Sequence, residues 1–158
     1  FYLKNFHQWQ SGILYFAYSM INGVTLSVVF VVYELSSIVS VFIISALVFG
    51  ILGFIGYKTN RDLNSWGTYI IVFLIAGIVL SLLNLIVFRS SVLDIAIDWL
   101  ILILFCGATI YDINKIKVLQ ESADINQDKI HIYCAMQLYL DFINIFLRIL
   151  SLFGKSKD

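Results

Sequence analysis

Residues 69–88 read YIIVFLIAGIVLSLLNLIVF, with only Ser81 and Asn84 as polar interruptions. A helix in a water-soluble bundle keeps a polar face along its whole length. Here there is none. Twenty residues of α-helix rise roughly 30 Å, the thickness of a bilayer's hydrocarbon layer. The stretch therefore reads as a transmembrane helix, and the rest of the composition agrees. Hydrophobic residues make up 61% of the 158 and charged residues 13%, with no proline. A soluble domain is about 45–50% apolar and roughly 25% charged, and one of this length buries only ~70% of its surface. Lipid is the natural solvent. Ten basic and ten acidic side chains balance, so composition gives no footing for a nucleic-acid partner.

Working outward, the absence of charge marks further spans. Five are expected, at about residues 12–33, 38–57, 66–88, 92–112 and 130–153, in an all-α polytopic transmembrane helix bundle forming a single domain. The joining segments ELSS (34–37) and KTNRDLNS (58–65) are short, which makes neighbouring helices antiparallel. The fourth run has only 13 uncharged residues, Trp99 to Tyr111, between Asp98 and Asp112. It spans only by drawing one or both aspartates below the surface. From Asp112, a loop of about 18 residues is expected before the fifth helix. With the first span starting inside, inner segments hold Lys4, Lys58, Arg61, Lys115, Lys117 and Lys129, and outer ones Arg89, Arg148, Lys155 and Lys157. That bias is slight, and the basic tail falls on the poorer side unless the last segment is re-entrant. Ala46, Gly50, Gly53 and Gly56 give the second span a small-residue face suited to close helix contact.

The chain opens on Phe1 and shows no basic, apolar and small-residue leader pattern; a fragment is expected. Cys106 and Cys134 lie in apolar runs and read as buried thiols, while His7 and His131 are isolated. Neither metal nor cofactor is expected. Richness in Ile, Asn and Lys points to an AT-rich genome and a bacterial cytoplasmic membrane rather than a eukaryotic internal one.

The last run, QLYLDFINIFLRIL (137–150), carries charge inside a span. Gln137, Asp141, Asn144 and Arg148 step by four, three and four, which places them on one helix face. Leu138, Phe142, Ile145 and Ile149 take the other. An ionised carboxylate at the bilayer centre costs roughly 2.5–3.5 kcal/mol on insertion scales. Asp141 and Arg148 are about 10 Å apart in rise, too far to pair simply. Asp112 is the natural partner for Asp141. Two carboxyl groups in a low-dielectric site resist double ionisation and hold one proton between them over some pH range. Plainer roles stand beside this one. Asp112 can be a loop residue among the headgroups, and Asp141, Asn144 and Gln137 can make structural hydrogen bonds. Arg148 can snorkel, and Asp98 can sit at the interface beside Trp99.

IYCAMQLYLDFINIFLRILSLFG (132–154) closely resembles the closing helix of the transmembrane Bax inhibitor motif family. LFCGATIYDINKI (104–116) resembles its penultimate helix with the Tyr-Asp ending, and GYKTNRDLNSWGTYI (56–70) a loop between middle helices. The resemblance implies about seven helices, of which this chain supplies the third to the seventh. It also implies a pH-sensitive calcium leak gated by two proton-sharing aspartates, carried onto Asp112 and Asp141. The family's arginine on an earlier helix, which pairs with them, has no counterpart here. Animal members are associated with suppression of cell death and some bacterial ones with a membrane protease.

The expected function is thus a non-enzymatic cation leak, with Asp112, Asp141, Asn144 and Arg148 on the proton or ion pathway. Its partners are the lipid bilayer and calcium or another cation. The alternative is a non-transporting regulator that binds a membrane protease or channel. An intramembrane aspartyl protease also uses two aspartates on consecutive helices, but presenilin-like enzymes carry Gly-x-Gly-Asp where this chain has LYLD (138–141).

Overall fold

A computed structural model describes the backbone of residues 2–121 and 127–157, and side chains at residue 10, residues 12–121, residue 131 and residues 133–157. The side chains of Lys4 and Lys129, used in the charge count above, and of His7 lie outside the described residues. Five α-helices follow one another: α1 Tyr2–Val32, α2 Leu35–Lys58, α3 Asn64–Leu83, α4 Ser91–Glu121 and α5 Gln127–Phe153. All five are long and apolar enough to cross a membrane.

Successive helices reverse direction, and hydrogen bonds mark the two ends. At one end Asn114 of α4 donates to the Thr59 carbonyl at 2.7 Å, and Lys117 donates to the Tyr57 carbonyl at 3.0 Å. The far end holds the α1–α2 turn and the segment after α5. There the Glu34 amide donates to the Lys155 carbonyl and the Lys157 amide to the Val32 carbonyl, each at 2.9 Å. The final segment is not re-entrant. It is one helix of 27 residues, so its basic tail lies at the end opposite the α2–α3 loop.

The helices α2, α4 and α5 form the heart of the bundle, with α3 against α4 and α1 at the rim. Ile38 and Val41 of α2, Leu102 of α4, and Ile145, Phe146, Ile149 and Leu150 of α5 make the core together with Val29 of α1. Phe142 stands edge-on to both Phe42 and Phe49 of α2, with ring centres 5.4 and 5.6 Å away. Both sides of α5 are therefore used, the apolar one against α2 and the polar one against α4. Outward-facing leucine, isoleucine, valine and phenylalanine remain exposed along α1, α2 and α3, as lipid contact requires.

Two expectations about the fourth span are corrected. No 18-residue loop follows Asp112: α4 runs nine residues beyond it, and α5 already begins at Gln127. Asp112 is mid-helix and buried, not a headgroup-level loop residue. The charges of INKIKVLQE made this stretch look like a loop, but a helix of 31 residues is roughly 46 Å long and simply projects from the hydrocarbon. Likewise α1 begins well before residue 12.

The turn between α3 and α4 is built around Asn84, which the sequence showed only as a rare polar residue. The helix widens into one π-turn, Asn84–Phe88, and Arg89 follows at φ 48°, the left-handed region. That conformation costs a non-glycine residue about 1–2 kcal/mol. Buried Asn84 offsets it by binding both ways. Its amide donates to the Ser90 carbonyl at 2.9 Å and to Asp94 Oδ1 at 2.6 Å, while its Oδ1 accepts from the Ser90 amide at 3.0 Å.

Part of the small-residue face on α2 is consumed by α4. A Cβ on Gly56 would stand 2.7 Å from the Ile110 carbonyl oxygen, a backbone atom that cannot swing away, whereas Gly50 has open space. Gly56→Val is expected to destabilise the protein by about 1–3 kcal/mol through overpacking, with Gly50→Ala near neutral. Thermal unfolding in detergent measures both.

Candidate functional site

Asp98, Leu102, Phe105, Thr109 and Asp112 step by four, three, four and three along α4, the spacing of one helix face. Leu102, Thr109 and Asp112 on it are buried. This face meets the polar stripe of α5 in antiparallel order, and the seam carries two polar stations.

The first station is the carboxyl pair. Asp112 and Asp141 are 8% and 2% exposed, the lowest values among the described acidic residues. Their side chains come close enough for a hydrogen bond between them. Gln137, one turn before Asp141, donates Nε2–H to Asp112 Oδ2 at 3.1 Å. Asp141 Oδ2 is sealed from solvent and has no hydrogen-bond partner among the described residues. The Cys134 thiol lies near Asp112 and Lys115. Asn114, two residues beyond Asp112, ties to the carbonyl just past α2, so the pair sits only about one turn below that end of the bundle.

The chemistry of this station follows from counting donors. A carboxylate only accepts, so two of them facing each other repel until one takes a proton and becomes a donor. Gln137 supplies a single neutral hydrogen bond to Asp112.

The second station lies toward the other end. Arg148 Nη1 pairs with Asp98 Oδ1, and Ser151 Oγ donates to Asp98 Oδ2 at 2.6 Å. Asp98 is thus the carboxylate that Arg148 reaches, and it lies in the α4–α5 seam. Trp99 stacks edge-on with Phe153, ring centres 5.7 Å apart. The structure also separates the four stripe residues. Asp141 joins Asp112, Arg148 joins Asp98, and Asn144 joins neither, its amide bonding the Leu140 carbonyl of its own helix at 2.8 Å. Sequence spacing could put Arg148 on the stripe, but only the antiparallel register of α4 on α5 chooses between Asp98 and Asp112.

An apolar helix bundle with paired charges on its innermost seam defines a polytopic α-helical integral membrane protein. The family model described as inhibitor of apoptosis-promoting Bax1 matches residues 1–158, and the chain belongs to that Bax inhibitor family. It is 39% identical over 148 residues to the inner membrane protein YbhL of Escherichia coli K12, covering 91% of this chain and 63% of that protein. An uncharacterized protein of Borreliella burgdorferi is 39% identical over 149 residues, covering 92% of this chain and 63% of its own length. The uncharacterized protein RP147 of Rickettsia prowazekii is 36% identical, with 92% and 62% covered. The chain thus spans a little under two thirds of the length of these relatives.

Gln137→Leu removes the neutral donor that holds Asp112. A loss of about 1–3 kcal/mol is expected, the usual penalty for stranding a buried acceptor, and denaturation in detergent reads it.

Proposed function

We propose that the protein is a passive cation leak, with calcium as the cation, and that the Asp112–Asp141 pair makes it respond to pH. One observation carries the reading: Asp141 is sealed inside the bundle with an unpartnered oxygen, facing a second buried carboxyl. With one proton between them, the two groups draw α4 and α5 together. Stripped of it, they become a divalent anionic site facing a low-dielectric seam. Such a site has the charge and the oxygen donors that a hard cation such as calcium requires. Gain and loss of one proton therefore couple helix packing to cation affinity.

Membership of the Bax inhibitor family supports this reading, as does the name of the Escherichia coli relative, which places that protein in an inner membrane. We place this chain in the bacterial inner membrane on the same ground. The reading as a regulator that binds a membrane partner finds less support here. A partner helix would use the small-residue face of α2, and there Gly53 and Gly56 are already packed against Ile113 and Ile110.

Calcium efflux from loaded vesicles containing the protein tests the proposal. The wild type is expected to show flux that changes with pH, and Asp112→Asn and Asp141→Asn are each expected to flatten that dependence. Both variants titrating like the wild type would rule out the pair as the sensor.

A further inference from the structure

The Arg148–Asp98 bridge is not explained by the pH-responsive pair. Asp98 and Asp112 are fourteen residues apart on α4, roughly 21 Å, whereas Arg148 and Gln137 are eleven apart on α5, roughly 16 Å. The long arginine and glutamine side chains take up the difference, each crossing the seam at one end. Between the two stations Leu102 of α4 is buried. Thr109 and Asn144, the intervening polar groups, turn their hydrogens to the Phe105 and Leu140 carbonyls of their own helices. Arg148 lies five residues before the end of α5, and Asp98 seven after the start of α4. The bridge therefore sits about two turns inside its end of the bundle, under the Trp99–Phe153 pair.

We propose that the Arg148–Asp98 bridge, steadied by Ser151, is a second closure of the α4–α5 seam, so that a cation following the seam passes two charge-governed constrictions in series. Three observations carry it. The bridge links the same two helices as the aspartate pair. Its acid has both oxygens occupied, one by the guanidinium and one by the Ser151 hydroxyl. Splitting the seam there would strand a guanidinium and a carboxylate near hydrocarbon, where no water repays them. The two partners also differ in what they leave behind. An unpaired Asp98 attracts cations to the mouth, whereas an unpaired Arg148 repels them. A bridge that merely held the fold would make no such distinction.

The inference rests on the leak proposed above, and the same vesicle assay tests it. Arg148→Gln is expected to raise calcium flux several-fold while pH dependence, set at Asp112 and Asp141, persists. Asp98→Asn, which keeps the guanidinium, is expected to leave flux at or below the wild-type level. The reversed pair, Asp98→Arg with Arg148→Asp, should bring flux back toward wild type; it also serves where a single variant fails to fold. Equal changes in both single variants, or lowered melting temperatures with unaltered flux, overturn the second closure and leave the aspartate sensor standing. Absence of flux from wild type and Arg148→Gln alike overturns both.

Discussion

A charged side chain surrounded by hydrocarbon has no water to turn to, and the architecture follows from where this chain finds substitutes. Asp98, Asp112, Asp141 and Arg148 lie on the seam between α4 and α5. Each is steered onto the one interface where another polar group can meet it. An acid facing lipid would carry its full transfer penalty of roughly 2.5–3.5 kcal/mol or more, so the rotation of both helices about their axes is set by these groups. The apolar side of α5 is then free to take the phenylalanine cluster on α2. Polar pairing chooses the seam, and aromatic packing backs it.

Close backbone approach does the rest. In lipid, apolar side chains gain nothing by leaving the solvent for one another, so contact must come from fit. Gly56 lets α2 lie against the Ile110 backbone, and Gly67 makes room for the Tyr111 ring. Both contacts are on α4, beside Asp112. The helix carrying the buried acid is thereby gripped from two sides near that residue. By contrast α1 touches the core mainly through Val29 and leans on the segment after α5 for its remaining ties. Close helix contact is concentrated where the carboxyl pair lies.

The two stations are chemically unlike. One joins acid to acid and is satisfied only by a proton. The other joins acid to base and is neutral as it stands. Placing both on a single seam gives α4 and α5 one contact between like groups and one whose charges cancel.

Much of this was legible in the residues alone. Uninterrupted apolar runs determine membrane spans because helix rise and bilayer thickness are both set by physics, and all five spans are helices in the structure. The four-three-four spacing of Gln137, Asp141, Asn144 and Arg148 determined a shared face, since helical geometry admits nothing else. The Leu-Asp-Phe-Ile-Asn run likewise brought the family into view. What sequence could not supply was register. Whether Arg148 answers Asp98 or Asp112, whether INKIKVLQE is loop or helix, and whether Asn84 is a stray amide or the clip of a strained turn all depend on which residues of other helices arrive opposite. Partners up to fifty residues away leave no periodic mark on a helix, so the tertiary structure alone decided them. It did so because in a solvent without hydrogen bonds each polar group must find its match inside the protein.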